Sequence, residues 1–349
     1  MKAVVFKEPY KVSCEEVEQP SNPQAGEAIV RVMACGLCGS DLHPYRGAEA
    51  GLRPGTVCGH EFAGVVEEVG AGVKLVPGER VAASFTTACG DCWYCTHGLS
   101  SRCNSAQLFG WIDEKNQGIH GGQAQFVRVP HADGTLMKLP DSVSFEEGVL
   151  MGDILATGYF CAKNALSMLA DSKIPPNELS MAVIGCGPVG LCAIASARML
   201  GVGRIYAIDR VDTRVEAAVQ LGAQKAGLRT ANGGRGVDAV LEVVGAYDAL
   251  KLGFELVRPG GVISSVGVHA HSKGFPVSPS DCYDKNITFK SGRCPARSLM
   301  SEIGDLIAST DIARHIISHR VPLETASEMY EKFEAQKDGI LKVVFTPWE

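Results

Sequence analysis

Four cysteines lie close together in the first third of the chain, at spacings that suit a single metal ion. Two residues separate each of the first three, and the fourth follows seven residues later: Cys89, Cys92, Cys95 and Cys103. Four thiolates can surround Zn²⁺ and leave no position for a substrate, which is typical of a structural site. Ordinary buried or redox-active cysteines are the alternative, but free thiols at this density are a chemical hazard. A nucleic-acid-binding zinc ribbon usually needs two separated cysteine pairs and a basic surface, and both are missing.

A second set of metal-binding side chains is spread over a longer stretch. Cys38 lies in Gly-Leu-Cys-Gly-Ser-Asp-Leu-His, His60 in Gly-His-Glu, and Asp153 in Asp-Ile-Leu-Ala-Thr-Gly. One thiolate, one imidazole and one carboxylate would leave the fourth position of Zn²⁺ open to water or substrate, as a catalytic zinc requires. The spacing alone does not select Asp153 over other acids, or Cys38 over Cys35 and Cys58.

The sequence Gly-Cys-Gly-Pro-Val-Gly, residues 185–190, predicts a dinucleotide site. It follows an apolar strand at Met181–Ile184 and opens a helix at Pro188–Leu200, which is the context that gives this motif its meaning. Gly185 allows a tight turn, Gly187 lets the backbone approach a pyrophosphate, and Gly190 lets the helix pack against its strand. The phosphates would face the helix N-terminus, with Pro188 and Val189 beside them.

The residue at the end of the next strand indicates which dinucleotide is bound. Asp209 lies 19 residues after Gly190, where a carboxylate can accept hydrogen bonds from the ribose hydroxyls and would repel a 2′-phosphate. NAD is therefore the predicted cofactor. Arg210 keeps NADP open as the alternative, because an arginine there could bind the extra phosphate. Arg214 is a further predicted cofactor contact.

The first third of the chain is predicted to be rich in β-strands. Short runs of valine and alanine are separated by glycine and proline turns. The runs are Lys2–Phe6, Ala28–Ala34, Phe62–Val69 and Arg80–Ser84. This pattern favours an antiparallel, barrel-like domain.

A different pattern begins near Asp153, where a long apolar helix is predicted over residues 154–170. Strands and helices then alternate, which indicates parallel βαβ units. The predicted strands are Met181–Ile184, Ile205–Ile208, Ala239–Val244 and Gly261–Val268, and the helices between them are Pro188–Leu200, Thr213–Leu221 and Tyr247–Val257. In the tail, Ser298–Ala308 is predicted as a helix and Ile340–Phe345 as a strand that returns to the first domain.

Length and composition limit the kind of protein. The 349 residues favour two domains, and a hydrophobic content of 46% suffices for a globular core. A net charge of −6 argues against nucleic acid and an anionic membrane surface as partners. The apolar run at residues 1–6 is too short for a signal peptide and no stretch would span a bilayer, so we expect a cytoplasmic protein. Thirteen cysteines fit metal ligands and buried residues better than disulfides.

Taken in order, these motifs resemble those of the zinc-containing medium-chain alcohol dehydrogenases over almost the full length. The segments that carry the resemblance are residues 36–43, 59–64 with Gly70, the four-cysteine segment at about 89–103, 185–190 and 266–268. The resemblance implies an α/β fold. A GroES-like β-rich catalytic domain at 1–156 and 291–349 would carry an inserted NAD-binding Rossmann domain, a doubly wound parallel sheet, at 157–290, with the active site in the cleft between them.

The resemblance also implies the metal ligands. Cys38, His60 and Asp153 would hold a catalytic zinc, which together with the structural zinc makes two Zn²⁺ per chain. Cys38 is selected because the family's ligand precedes the serine and histidine of its motif. Glu61 would stand near the metal as a neighbour or transient ligand, and Asp41 would bind the other nitrogen of His60.

The routes of the proton and the hydride follow from the same resemblance. Ser40 would accept the proton of the alcohol and His43 would pass it on as an outer relay, with a structural role for His43 as the alternative. Thr157 would contact the nicotinamide, and Val266, Gly267 and Val268 would line its ring.

The chain departs from the family at two positions. Asp153 stands where many members have a cysteine or a glutamate. Gly39 stands where some members have a basic residue for the pyrophosphate, so phosphate binding would rely on the helix at Pro188, with Lys342 as a candidate to assist.

The implied function is reversible, zinc-dependent oxidation of a small alcohol to an aldehyde or ketone, with NAD as hydride acceptor. Formaldehyde dehydrogenase or dismutase activity and polyol or threonine dehydrogenase activity are alternatives on the same scaffold. A catalytically inactive zinc-binding structural protein is the alternative from another class. Trp93, Phe109 and Trp111 are candidates to line the substrate pocket, although packing is the commoner role of aromatic residues. A homotetramer is predicted, with a homodimer as the alternative.

Overall fold

The structure is a computed structural model that describes residues 1–225, 233–269, 274–307 and 311–349, with backbone only at residues 305 and 306. The chain divides into two compact units. The first comprises Met1–Ala156 and Pro295–Glu349, and the second comprises Thr157–Cys294. Among the described residues, we find no helix that has both the length and the apolar character needed to cross a membrane.

The first unit is built mainly from short strands. They are β1 (Lys2–Glu8), β2 (Lys11–Glu16), β3 (Ala28–Leu37), β4 (Phe62–Val69), β5 (Arg80–Ala83), β6 (Trp111–Ile112), β7 (Gly118–Ile119), β8 (Phe126–Val129), β9 (Leu136–Lys138), β16 (His319–Pro322) and β17 (Val343–Thr346). Its helices are α1 (Leu42–Tyr45), α2 (Trp93–Thr96), α3 (Ala132–Thr135), α4 (Phe145–Gly152), α10 (Ala296–Ile307), α11 (Ile312–Ile316) and α12 (Ala326–Glu334).

One seven-stranded sheet organises this unit. Its order is β16-β17-β3-β4-β5-β9, and β8 also pairs with β3. All of these pairings are antiparallel except that of β16 with β17. The β-branched and aromatic side chains of β3, β4 and β17 pack into a single buried core, which includes Val30, Val32, Phe62 and Phe345. Burial of these side chains is the main force that fixes the register of the central strands.

The register of β3 brings distant parts of the sequence together. Cys35 pairs with Phe62 at the start of β4, and Leu37 pairs with Val343 at the start of β17. Because both neighbours are antiparallel to β3, the residue after its last position lies beside the residues that precede β4 and β17. Cys38, His60 and Lys342 therefore converge at one edge of the sheet.

Helix α4 supplies the remaining side chain of this edge. It begins with a capping box in which the Glu147 N–H donates to Ser144 Oγ at 3.2 Å and the Ser144 N–H donates to Glu147 Oε2 at 2.7 Å. Its last residue, Gly152, lies against β5, where a Cβ atom would come within 2.1 Å of the Ala83 carbonyl oxygen. The close packing that this glycine allows places Asp153, the next residue, at the sheet edge.

The second unit alternates strands and helices. Its strands are β10 (Ser180–Ile184), β11 (Arg204–Ile208), β12 (Gln224–Lys225), β13 (Val237–Glu242), β14 (Val257–Ser265) and β15 (Thr288–Ser291). The helices are α5 (Ile154–Met168, which begins before the unit's first residue), α6 (Pro188–Met199), α7 (Asp212–Gln220), α8 (Tyr247–Leu256) and α9 (Pro279–Lys285).

The strands of the second unit form a parallel sheet in the order β12-β11-β10-β13-β14-β15. This is the doubly wound order of dinucleotide-binding domains, in which the chain changes direction of winding between its first and fourth strands, here β10 and β13. Ligands of such sheets bind at the carboxyl ends of the strands next to that point.

Several element boundaries differ from the prediction. The strand predicted to reach Val268 ends at Ser265, because its partner Glu242 is the last residue of β13. The tail strand begins at Val343, opposite Leu37 of β3, rather than at Ile340. The predicted apolar helix over 154–170 ends at Met168. Ala308, the predicted end of a tail helix, lies outside the described residues.

Candidate active site

Four side chains with metal-binding atoms converge at the edge of the first unit's sheet. One donor atom from each of Cys38, His60, Glu61 and Asp153 lies within 4.8 Å of all the others. Cys35 and Cys58, which the spacing left open as alternatives, are not in this cluster. Both are buried among apolar side chains, and burial raises the pKa of each thiol. The structure thus places Cys38, and not its neighbours, beside His60.

The distances within this cluster fit a zinc ion. Cys38 Sγ lies 3.4 Å from Asp153 Oδ2, and His60 Nε2 lies 3.3 Å from the same oxygen. Zinc bonds of about 2.3 Å to sulfur and about 2.0–2.1 Å to nitrogen or oxygen give tetrahedron edges of about 3.3–3.6 Å. These two separations from the Asp153 oxygen therefore match those that a tetrahedral ion would impose.

The Ser40 hydroxyl lies directly beside two of these donors. Its Oγ is 3.2 Å from Cys38 Sγ and 3.2 Å from His60 Nε2. A hydroxyl at this position can give or accept a proton at the open side of the cluster. His43, on α1, is half-buried and is not one of the converging donors.

Asp41 fixes the imidazole of His60. Asp41 Oδ1 is 3.1 Å from His60 Nδ1, and Asp41 Oδ2 accepts a hydrogen bond from the Cys38 N–H at 2.9 Å. A carboxylate on Nδ1 holds the proton there in the neutral ring and leaves the Nε2 lone pair for a metal. One residue thus orients both the imidazole and the backbone of the cysteine.

Glu61 and Lys342 form a fully buried ion pair next to the cluster. Their side chains are 0% and 1% exposed, and the Lys342 ammonium donates to Glu61 Oε2 and to the Leu37 carbonyl oxygen, the latter at 3.1 Å. Glu61 Oε1 is buried and has no hydrogen-bond partner among the described residues. A buried carboxylate oxygen without a partner is costly, and a cation in the cluster would remove that cost.

The pKa values of the clustered side chains reflect their burial and their closeness to one another. Burial raises the pKa of Glu61 to about 7 against the opposing attraction of Lys342. Burial also raises the pKa of the Cys38 thiol, with the Glu61 and Asp153 carboxylates adding to the effect. Burial disfavours the charged imidazole, but Asp41 and Cys38 outweigh it and the pKa of His60 lies well above its ordinary value. Binding of a divalent cation would displace these protons.

The four-cysteine segment forms a separate lobe of the first unit. One Sγ atom from each of Cys89, Cys92, Cys95 and Cys103 falls within 4.8 Å of the rest. Cys89 Sγ is 3.4 Å from Cys103 Sγ and 4.0 Å from Cys95 Sγ, on either side of the edge of about 3.8 Å of a zinc–sulfur tetrahedron. Backbone N–H groups of Asn104 and Cys95 hold the pKa of Cys92 down to about 6, which favours the thiolate that a metal requires. The arrangement fits a closed, structural zinc site.

We expect Cys92→Ala to lower stability rather than to remove the chemistry of the other cluster. Loss of one of four ligands should cost about 3 kcal/mol or more. For a unit of this size that is about 6–12 °C in Tm, measured by thermal unfolding. Cys14→Ala, a half-buried cysteine of the same unit outside both clusters, is the matched control. Unchanged Tm in Cys92→Ala would contradict a structural metal here.

The glycine turn of the second unit has the shape that a pyrophosphate needs. Gly185 has a φ of +93°, and a Cβ atom on Gly190 would come within 1.8 Å of the Gly185 carbonyl oxygen. A Cβ atom on Gly187 would meet nothing within 4 Å, so open space lies before that residue. Gly187 is also the N-cap of α6, with Pro188 as its first residue. The first N–H groups of a helix have no partner within the helix, which makes its N-terminus suitable for a phosphate.

Asp209 holds the same turn in place. Its Oδ2 accepts a hydrogen bond from the Cys186 N–H at 2.7 Å, and its Oδ1 accepts one from the Val211 N–H at 2.9 Å. Each carboxylate oxygen can accept a second hydrogen bond, so ribose hydroxyls remain suitable partners. Arg214 Nη1 lies 4.0 Å from Asp209 Oδ2, whereas the Arg210 side chain is exposed.

The other predicted cofactor contacts lie at the surface or close to it. Val189 is half-buried in the first turn of α6. Val266 and Gly267 are half-buried and Val268 is 59% exposed, directly after β14. Thr157 is half-buried in α5. The carboxyl ends of β10 and β14 thus each present predicted contacts at the ligand-binding edge of this unit's sheet.

The structure corrects one predicted role and adds a residue. Lys342 cannot assist a pyrophosphate as predicted, since its ammonium is buried and bonded to Glu61.

Gln123 was not predicted at all. Its Nε2 donates to the Gly36 carbonyl oxygen at 2.9 Å and lies 3.4 Å from Asp41 Oδ2, so it supports Asp41. A lone glutamine after two glycines carries no sequence signal for such a role.

The three aromatic candidates for the substrate pocket have other surroundings. Phe109 is 1% exposed and packs edge-to-face on Phe62, with ring centroids 5.0 Å apart. Trp111 is half-buried against the same core. Trp93 is 61% exposed on the four-cysteine lobe, where it stacks on His97. Phe109 and Trp111 therefore pack in or against the core of the first unit, which was the alternative to a role in the pocket.

Comparison with known proteins identifies both units. Residues 24–141 match the family model of the alcohol dehydrogenase GroES-like domain, and residues 188–309 match that of the zinc-binding dehydrogenases. The zinc-type alcohol dehydrogenase B of Aspergillus flavus is 44% identical over 363 aligned positions, which cover 100% of this chain and 82% of the relative.

Solved structures agree with these matches. The alcohol dehydrogenase TADH from Thermus sp. ATN1 is 38% identical, with a TM-score of 0.89 and 99% of both chains covered. A dehydrogenase from E. coli CFT073, rspB, was solved in complex with NADH and is 26% identical, with a TM-score of 0.83 and 99% of both chains covered. The predicted fold class, a GroES-like β-rich domain with an inserted Rossmann domain, is confirmed. The chain therefore belongs to the zinc-containing medium-chain alcohol dehydrogenase family, and zinc-dependent oxidation of an alcohol is its chemistry.

Proposed function

We propose that this chain oxidises a small alcohol reversibly to an aldehyde or ketone with NAD as hydride acceptor, at a site formed by Cys38, His60 and Asp153. The observation that carries the proposal is the convergence of these three donors at zinc-like distances beside the Ser40 hydroxyl. A donor set of this kind leaves one position for the alcohol. We further propose a second, structural zinc in the four-cysteine lobe, which makes two zinc ions per chain.

The residues around the site have separate tasks. Zinc, when bound, supplies Lewis acidity that lowers the pKa of a coordinated alcohol toward neutrality. Ser40 Oγ, next to both Cys38 and His60, accepts the proton of the alcohol and passes it outward, with His43 as the next relay. Asp41 keeps the His60 imidazole in the tautomer that leaves Nε2 free. Glu61 stands beside the donors as a neighbour or transient ligand.

The second unit supplies the hydride acceptor. The pyrophosphate binds at the glycine turn and the first turn of α6, where the open space before Gly187 admits it. Asp209 receives the adenosine ribose and disfavours a 2′-phosphate, which makes NAD the cofactor; NADP is the alternative that Arg210 would favour. Val266, Gly267, Val268 and Thr157 contact the nicotinamide. The E. coli relative rspB was solved with NADH, which supports NAD over NADP as the cofactor.

A coupled test addresses metal, cofactor and substrate class together. Purified protein should contain two equivalents of zinc by elemental analysis and should reduce NAD with at least one class of primary, secondary or polyol substrate. Preference for NAD over NADP should be about tenfold or more, equal to about 1.4 kcal/mol. One zinc per chain with no turnover would instead favour a structural zinc protein. Equal rates with NADP would contradict the assignment of Asp209.

Two further parts of the screen separate the alternative chemistries. Formaldehyde and polyols should be among the compounds tested. Aspartate as the third ligand makes the chain similar to formaldehyde dehydrogenases and dismutases, and polyol dehydrogenases share the scaffold. Cofactor that stays bound through purification would favour the dismutase type.

We also propose a cytoplasmic homotetramer, with a homodimer as the alternative. Light scattering of the purified protein measures its mass against 37.0 kDa per chain.

A further inference from the structure

A buried carboxylate, a hydroxyl and an imidazole form a cluster in the second unit that none of the assigned roles uses. Glu242 ends β13 and is 0% exposed, Ser265 ends β14 and is also 0% exposed, and His269 follows four residues later with a side chain that is 25% exposed. The imidazole is thus the member of the cluster that reaches the surface.

Hydrogen bonds show that Glu242 is the acceptor of the cluster. Its Oε1 accepts from the N–H groups of Val244 at 2.9 Å and Gly245 at 2.7 Å. Its Oε2 is 2.6 Å from Ser265 Oγ and 3.4 Å from His269 Nε2. In the part of the chain that the structure describes, no lysine or arginine contacts Glu242. Backbone N–H groups can only donate, so both bonds make Glu242 Oε1 an acceptor.

The acceptor role of Glu242 determines where Ser265 and His269 carry their protons. Ser265 has a single hydroxyl proton, which it donates to Glu242 at 2.6 Å. Ser265 Oγ is also 2.9 Å from His269 Nε2, so the serine oxygen must accept there and Nε2 must carry the proton. In the neutral ring the remaining nitrogen, Nδ1, then has a lone pair and acts as a hydrogen-bond acceptor.

The cluster lies at the ligand-binding edge of the parallel sheet. The turns that follow β13 and β14 pack backbone to backbone, since a Cβ atom on Gly267 would come within 2.0 Å of the Gly245 nitrogen. Two apolar side chains are exposed on these turns, Val244 at 49% and Val268 at 59%. An acceptor beside exposed apolar side chains suits a ligand that has both a flat ring and hydrogen-bond donors.

We propose that His269 is a cofactor-binding residue whose Nδ1 accepts a hydrogen bond from the nicotinamide-ribose half of NAD. The inference rests on the proposed NAD dependence. The donor is the carboxamide N–H or a ribose hydroxyl, the two N–H or O–H sources that this half of the cofactor offers. Glu242 and Ser265 act through His269, as positioning residues that fix its tautomer and orientation.

The strand order explains why the contact is to this half. Asp209, the proposed adenosine site, follows β11, whereas His269 follows β14, on the other side of β10. Strands β11 and β14 are three strand spacings apart, or about 14 Å. A dinucleotide whose pyrophosphate lies at Gly187 after β10 would place its two bases toward these opposite sides.

His269→Gln tests the proposal because its side-chain amide can still donate to Ser265 but has no acceptor in place of Nδ1. Dissociation constants of NADH, ADP-ribose and ADP are measured by calorimetry on the full chain, together with Tm. We expect the Kd of NADH to rise about fivefold or more in His269→Gln, with ADP unchanged. His269→Asn, whose amide oxygen lies near the position of Nδ1, should lose less.

Each outcome separates the possibilities. Weaker binding of ADP-ribose as well as NADH identifies a ribose hydroxyl as the donor, and an unchanged ADP-ribose Kd identifies the carboxamide. Wild-type affinity for NADH in both His269→Gln and His269→Ala would overturn the proposal, as would equal losses for NADH and ADP, which would mean a structural role. Failure of the wild-type chain to bind NADH would overturn the NAD assignment itself.

Discussion

His60→Ala should abolish alcohol oxidation while the chain remains folded. The substitution removes the imidazole that Asp41 orients toward Cys38 and Asp153, at 3.3 Å from the Asp153 oxygen. Without this imidazole the site loses affinity for the metal, and with the metal it loses a Lewis acid worth several kcal/mol, so we expect kcat/KM to fall about 10³-fold or more. Steady-state kinetics with the best substrate of the screen measures the loss, and elemental analysis should show one zinc equivalent fewer.

The control for this experiment is Cys35→Ala. Cys35 is more deeply buried than Cys38 and lies outside the donor cluster, three residues before it. We expect it to retain its zinc and nearly all of its activity, with only a modest loss of stability from the missing sulfur. Near-normal turnover in His60→Ala, or equal losses in the two variants, would rule out the proposed metal site.

Lys342→Met should strongly destabilise the first unit. The substitution keeps a similar volume but leaves the Glu61 carboxylate buried without its cation. Removing one partner of a buried ion pair costs about 3–5 kcal/mol. Urea unfolding measures the change, and we expect it to be larger after treatment with a chelator, because the metal can no longer attract Glu61.

The double variant Lys342→Met with Glu61→Gln provides the control for the ion pair. If the loss arises from the unpaired carboxylate, removing its charge should recover a large part of the stability. A double-mutant cycle with Glu61→Gln alone gives the size of the coupling. A double variant as unstable as Lys342→Met would mean that the lysine acts by packing and not by charge.

The motifs were predictable from the sequence because each depends on residues close together in the chain. The four-cysteine lobe and the turn at Gly185–Gly190 are local structures, and their residue types carry their chemistry directly. The parallel strands of the second unit were predicted from its alternation of strands and helices, and the doubly wound sheet was implied by the resemblance. The identity of the third donor, Asp153, came from the resemblance to a family and not from spacing.

What the sequence did not predict depends on pairing between distant segments. Lys342 comes to Glu61 only because β17 pairs with β3 in a particular register, with Val343 opposite Leu37. Gln123 reaches Asp41 through the close packing of its own segment on Gly59, where a Cβ atom would come within 2.4 Å of the glutamine side chain. No local pattern encodes such contacts, because they are set by the closure of the whole sheet.

The two proposed metal sites differ in how much of the chain must fold before their donor atoms come together. The cysteines of the lobe all fall between residues 89 and 103, so a chain still emerging from the ribosome can assemble them soon after that segment is made. The other site joins positions 38, 60 and 153 across the central sheet, and the lysine that neutralises Glu61 comes from position 342, near the C-terminus. Contacts between residues far apart in the sequence slow folding, because the intervening chain must be ordered before they form. Metal should therefore bind first at the lobe, and metal bound at the donor cluster should report that the strands carrying Cys38 and His60 have paired.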